Sequence, residues 1–357
     1  MTSVGPDSHE DLAARWMRFA DQECRGYSPL YERISRAIAG DADLLALIQR
    51  TPPSSHQPNL LLAAVHDLLL SGVEHPLGDV YAGSSSADPV PLFRDFCLTH
   101  RDAVLALLVR RHTQTNECGR SAVIVPALAW VSERLGRPLA LIDVGASAGL
   151  NLLCDRYRLD YGAAGTTGPP DSPVRVDCRV VGGKPPIADR APHLVSRVGL
   201  DREPLDLDDA DSARWLLACV WPDTGRMERT AAAIALARTL KPEVVCGDAV
   251  RDVAALLDGL ADDTVACVTT TWAFAYLGPE ERDAFVGQLA QASMKRPIAW
   301  VSGEGPGVVD RFAAGEPPVH DPMMPSVLGA VVFDRGRDDA TMLAWVQPHG
   351  RWIEWLA

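Results

Sequence analysis

Apolar residues recur every three or four positions through the first third of the chain. In "SHEDLAARWMRFADQEC", Leu12, Trp16, Phe19 and Ala20 share one helical face, and Ser8 with Asp11 has the form of a capping box. "SPLYERISRAIAG" predicts a helix capped by Ser28, with Pro29 in its first turn and Gly40 as its stop. "PNLLLAAVHDLLLSG" is apolar on nearly every side, the pattern of a helix inside a bundle. "LFRDFCLTHRDAVLALLVRRH" supplies one or two more helices. "GRSAVIVPALAWVSERLGRP" predicts a last one, bent or restarted at Pro126 and closed by Gly136 and Pro138.

After Pro138 the period changes. The short apolar runs "LALIDV", "HLVSRVGLD", "EVVCGD", "TVACVTTTW" and "RPIAWVSGE" read as strands. Between them "LNLLCDRYRLDY", "SARWLLACVW", "MERTAAAIALARTL", "RDVAALLDGL" and "PEERDAFVGQLAQASM" read as helices. "VRVDCRVVGG" reads as an exposed strand or hairpin in a Gly/Pro-rich insertion over about 161–192. "LGAVVFD" and "TMLAWVQ" flank the polar loop "RGRDDA", which predicts an antiparallel hairpin. Alternating strands and helices imply an α/β fold with a parallel sheet covered on both faces. The predicted domains are a helical one over 1–122 and an α/β one over 123–357.

Composition narrows the function. The chain has 357 residues with a formal net charge of -13. An acidic chain repels nucleic-acid backbones and anionic membranes, and no dense Lys/Arg run offsets this, so the expected partner is a small-molecule substrate. No apolar run approaches the ~20 residues of a membrane span. The opening "MTSVGPDSHEDLAARW" lacks a basic head with an apolar core, so a cytoplasmic location is expected. The eight cysteines form no C-x-x-C pair and several lie in apolar runs, the usage of buried thiols. The histidines have no ligand-like mutual spacing, and no metal site is expected.

The stretch "LIDVGASAGLN" ends an apolar run in Asp143 and then turns through Gly145, Ala146, Ser147 and Gly149 to Asn151. Such a turn presents backbone N–H groups beyond a strand, and glycine admits a ligand closely. Plain helix–sheet packing asks for the same residues. Three later features fall where strands should end: Asp201 in "VGLDREPLDL", placed to accept ribose hydroxyls; Asp248 in "VVCGDAV", placed to receive an adenine amino group; and Thr270, Thr271, Trp272 and Tyr276 in "TTTWAFAYL". Neither G-x-G-x-x-G with a nearby acid nor G-x-x-x-x-G-K-[ST] is present, which excludes the dinucleotide and nucleoside-triphosphate fingerprints.

That order of features resembles the class I S-adenosylmethionine-dependent methyltransferases over about residues 139–357. The segments "QTNECGR", "DVGASAGLNLLCDRY", "ACVWPD", "WVSGE" and "PHGRW" resemble a family of uncharacterised bacterial proteins, a domain of unknown function with a methyltransferase-like core. The resemblance implies a Rossmann-like, seven-stranded methyltransferase-type sheet whose last strand runs antiparallel, behind an N-terminal α-helical domain. It implies S-adenosylmethionine as cofactor, held by Asp143, Gly145, Ala146, Ser147, Gly149, Asn151, Asp201, Asp248, Thr271 and Trp272. Ser147 departs from the pattern, which usually has glycine there.

A bound sulfonium is already activated, so positioning supplies much of the acceleration. Trp272 and Tyr276 are candidates to face its positive charge. The polar block "RRHTQTNECGR" offers His112 and Glu117 as proton acceptors and Arg120 as a bidentate holder of an anionic acceptor. Arg226 and Arg229, three apart, have the spacing of an anion clamp or of a charged surface helix. Ser302 and Glu304 follow the fifth strand. The expected activity is methyl transfer to a small, anionic metabolite. The alternatives are an enzyme on the same fold that eliminates or transfers an anionic leaving group, and a catalytically silent binding protein.

Overall fold

Small hydroxyl and carboxyl side chains start the leading helices. In this computed structural model, which describes residues 7–188, 191–261, 263–312 and 315–357, Ser8 and Asp11 cap His9–Phe19 reciprocally: Asp11 N donates to Ser8 Oγ at 3.1 Å and Ser8 N to Asp11 Oδ2 at 3.0 Å. Ser28 caps Pro29–Ala39, and Asp41 caps a short helix, Ala42–Ile48, that the apolar period alone leaves unmarked. Pro58–Leu70 is buried on most sides, as its pattern predicts. A short helix, Pro76–Tyr81, follows, and the stretch "LFRDFCLTHRDAVLALLVRRH" is two helices, Pro89–Thr99 and Arg101–Arg110.

The chain divides into two compact units. The helical unit takes residues up to Thr115, then Asp208–Glu228 and His320–Met323; the sheet unit holds Asn116–Leu207, Arg229–Val319 and Met324–Ala357. The break therefore falls at 115/116 rather than 122/123, and the helix Ala210–Ala218 returns to the helical unit. Burial explains this. Trp215 and Ala218 sit in the helical core with Leu12, Trp16 and Phe96, and Trp215 Nε1 donates to His112 O at 2.8 Å.

In the sheet unit, Ser121–Leu135 runs through Pro126 without a break. Proline removes the N–H that Ala122 O would accept, and the Tyr161 hydroxyl donates to that carbonyl instead, at 2.9 Å. The strands are β1 (Leu139–Val144), β2 (Arg158–Asp160), β3 (Thr166–Thr167), β4 (Arg175–Asp177), β5 (Arg179–Gly182), β6 (Leu194–Asp201), β7 (Val244–Cys246), β8 (Val265–Thr271), β9 (Ile298–Glu304), β10 (Ser326–Asp334), β11 (Arg337–Val346) and β12 (Trp352–Trp355). Among the described residues the main sheet has nine strands in the order β5-β12-β11-β10-β9-β8-β1-β6-β7, and β2, β3 and β4 form a small second sheet. β7, β6, β1, β8 and β9 are mutually parallel. β1, β8 and β9 are buried at every residue, which is why each opens on an apolar run of four residues, with polar residues only towards its carboxyl end.

Three expectations are corrected. The sheet is not seven-stranded: β12 pairs antiparallel with β11, and β5 adds parallel to β12, so the hairpin's outer edge is covered. The polar loop of the hairpin shrinks to Arg335 and Gly336, both left-handed, because the twist of paired strands favours a two-residue turn. "LNLLCDRYRLDY" is not an α-helix but a kinked 3-10 segment, Leu150–Arg156, followed by β2. Side chains take the carbonyls there: Tyr157 Oη donates to Leu150 O at 2.6 Å and Arg197 Nη1 to Leu152 O at 2.9 Å. Among the described residues no helix is long and apolar enough to cross a membrane.

Candidate functional site

From β1 the chain builds outward to β6 and β7, then returns to the other side of β1 with β8. Strand order thus reverses between β1 and β8, and a crevice beyond their carboxyl ends is where such sheets bind ligands. The turn after β1 lies at this reversal. Gly145 is left-handed, at φ 79°, and a Cβ there would lie 2.4 Å from Ala273 Cβ. Close packing against the turn after β8 therefore requires glycine at 145. Gly149 likewise faces Val244 and Pro242. Ser147, where the methyltransferase pattern has glycine, is also left-handed, at φ 53°.

The three acids lie at successive strand ends but in different settings. Asp143, on β1, is 2% exposed and accepts the Thr269 hydroxyl at 2.6 Å; the β1–β8 register places these two residues opposite one another. Burial pushes its carboxyl up to about 6, opposed by Thr269 and the Arg120 charge and reinforced by Asp201. Asp201 ties the turn to its own strand, accepting Ser147 N at 2.7 Å on Oδ2 and Glu203 N at 2.9 Å on Oδ1. Asp248 caps Ala249–Asp258 and pairs with Arg202 at 2.8 Å. Burial pushes its carboxyl up, but Arg202 and the amides of Arg251 and Val250 outweigh that and hold it below the usual range.

The turn after β8 packs against the turn after β1 through Ala273. Trp272 takes a left-handed backbone at φ 57° and is 37% exposed. Its chain neighbours are held by Glu304 at the end of β9, which accepts Ala273 N at 3.0 Å, Phe274 N at 2.9 Å and Ala275 N at 3.4 Å. Burial raises the Glu304 carboxyl despite those amides and the Arg120 charge. Tyr276, at 86% exposure, stands out in solvent.

The polar block before the helix Ser121–Leu135 turns inward. Asn116 Oδ1 accepts Leu150 N at 2.8 Å, beside the β1 turn. Glu117 accepts Gly119 N at 2.7 Å and Arg229 Nη2 at 2.9 Å on Oε1, and its Oε2 lies 3.8 Å from His349 Nδ1. Arg120 Nη1 donates to Thr271 O at 3.0 Å and its Nε to Pro348 O at 3.1 Å. A Cβ on Gly350 would lie 2.0 Å from Gly119 O, so "ECGR" and "PHGR" cross backbone to backbone.

Among the predicted residues, Asp143, Gly145, Ala146, Ser147, Gly149, Asn151, Asp201, Thr271 and Trp272 lie on the two turns or the strand ends feeding them, with Asp248 one strand further out. His112 falls in the helical unit and is exposed. Arg226 and Arg229 fall in different units, and Arg226 precedes the helix Met227–Leu240 rather than sharing a face of it. The reading missed Thr269, Ala273 and Arg202. A polar Thr269 in an all-buried strand opposite an acid was the available signal; nothing marked Ala273. Among the described residues no group of three or more His, Cys, Asp or Glu side chains is placed to hold a metal ion.

The family described as an uncharacterized protein conserved in bacteria, DUF2332, matches residues 13–355. The chain belongs to this family. Comparison with curated proteins gives no match. The DUF2332 match runs through both units, so the helical and sheet parts are together the family's unit of description.

Proposed function

We propose that this DUF2332 chain binds S-adenosylmethionine in the crevice between the turns after β1 and β8 and transfers its methyl group to a small metabolite. The observation that carries the reading is the pair of left-handed non-glycine residues, Ser147 in the turn after β1 and Trp272 in the turn after β8, on the two strands between which strand order reverses; such backbone strain persists at ligand clamps. The residues fit an adenosine group. Asn151 Oδ1 is buried beside the turn with no hydrogen-bond partner among the described residues, an acceptor a ligand would satisfy. Each Asp201 oxygen has a lone pair beyond its backbone bond with which to accept a ribose hydroxyl. Trp272 offers an aromatic face to positive charge. When bound, the cofactor supplies an activated methyl; the chain's part is to orient it and the acceptor.

A second reading, a binding protein without turnover, is favoured by Glu117. Its carboxylate is committed to Gly119 N and Arg229, so it is not placed as a general base. Calorimetric titration with S-adenosylmethionine and S-adenosylhomocysteine tests the first reading. Both should bind, and Asp201→Ala should weaken binding by about ten-fold or more through lost charge-assisted hydrogen bonds. No heat with either compound, or full affinity in Asp201→Ala, refutes it. Binding without methyl transfer across a panel of small anionic metabolites supports the second reading.

A further inference from the structure

We infer that Arg120 is a positioning residue of the crevice: its guanidinium holds the backbone where β8 ends and supplies the positive charge faced by the buried carboxylates of Asp143 and Glu304. The inference rests on the preceding reading only for what the crevice binds. Arg120 is 7% exposed, and its bonds to Thr271 O and Pro348 O tie the start of the β8 turn to the C-terminal turn. β8 lies between β1 and β9, with Thr270 opposite Val144 on one side and Ser302 on the other. The Arg120 charge therefore acts on acids of the two strands that flank the β8 end it holds.

The β8 turn is gripped twice. Arg120 takes the carbonyl of Thr271, and Glu304 takes the amides of Ala273, Phe274 and Ala275; left-handed Trp272 lies between the two grips. Both carboxylates are buried, which penalises their charged forms, and Arg120 opposes that penalty for each. Asp143 is faced by the Thr269 hydroxyl from β8, by Arg120, by Asp201 from β6 and by the Cys154 thiol from the 3-10 segment. Glu304 is faced by the three amides and Arg120. Arg120 thus acts through the turn and the two acids rather than by grasping an acceptor, the role its residue type first suggested.

The test compares Arg120→Met and Arg120→Lys in the full chain, by two readouts. The first is amide hydrogen exchange of residues 273–275 in the free protein. It should speed up about ten-fold or more in Arg120→Met as the turn loosens, and less in Arg120→Lys, which keeps the charge. The second is calorimetric titration with S-adenosylhomocysteine, whose ammonium group favours an ionised carboxylate nearby, from pH 6 to 9. Affinity of Arg120→Met should fall about ten-fold near pH 6.5 and recover toward pH 9, because Asp143 without its cation ionises only at higher pH. Arg120→Lys should show no such pH shift. A loss of equal size at every pH, or exchange unchanged in Arg120→Met, overturns the inference. Should the wild-type chain bind neither adenosyl compound, the cofactor reading fails while exchange in the free protein still decides the role of Arg120. Should Arg120→Met not fold, exchange in Arg120→Lys decides: a smaller increase at residues 273–275 supports the inference, and wild-type rates refute it.

Discussion

Gly145→Ala is the sharpest probe of how the two turns meet. Two penalties add. Alanine at φ 79° pays the left-handed cost, about 1–2 kcal/mol. Its Cβ would also stand 2.4 Å from Ala273 Cβ, well inside methyl contact, so one turn must shift, at about 1–3 kcal/mol for an overpacked site. Reduced freedom of the unfolded chain returns roughly 0.4–1 kcal/mol. The net destabilisation is about 2–4 kcal/mol, or on the order of 4–16 °C in melting temperature at roughly 2–4 °C per kcal/mol. Urea unfolding of four proteins measures it: wild type, Gly145→Ala, Ala273→Gly and the double variant. Ala273→Gly removes the opposing methyl, so the double variant should recover the overlap part, about 1–3 kcal/mol, and keep the left-handed part. Wild-type stability in Gly145→Ala, or strict additivity in the double variant, would refute the packing argument and return Gly145 to a role in ligand approach alone.

Two further perturbations test other parts of the sheet unit. Asp143 has a folded pKa of about 6 against an ordinary 3.8, so between those values the folded state binds more protons than the unfolded one and stability falls as pH rises. Over that window Asp143→Asn should lose a pH-dependent component of about 3 kcal/mol at most, read as the wild-type-minus-variant difference in unfolding free energy from pH 4 to 7; a flat difference would contradict it. Tyr161→Phe leaves Ala122 O without its donor and should cost about 1–3 kcal/mol, whereas adding Pro126→Ala restores a helical N–H to that carbonyl and should recover part of the loss; thermal melts showing no coupling between the two sites would argue against the substitution of one donor for the other.

Legibility followed the range of the interactions involved. Ser8, Ser28 and Gly40 could be assigned from the sequence because a helix cap is decided within four residues. The strands β1, β8 and β9 could be read because burial on both faces leaves an apolar run of four residues at the start of each. The segment after Gly149 could not, since its helical pattern yields to side chains from Tyr157, Arg197 and Asn116 that take its backbone groups. Likewise the polar block around Glu117 and Arg120 reads equally as pocket lining or as bracing until His349, Thr271 and Pro348 are brought beside it.

Local periodicity by itself determined that helices precede an α/β part, that a hairpin ends it, and that a small-residue turn follows the first strand, because propensity, capping and turn chemistry act between near neighbours. The tertiary structure alone decided that the sheet has nine strands, that Trp215 belongs to the helical core, that Gly145 is required by Ala273, and that Arg120 faces two buried acids. Each of those rests on a contact between residues distant along the chain, whose energy exists only once the strands have taken their order.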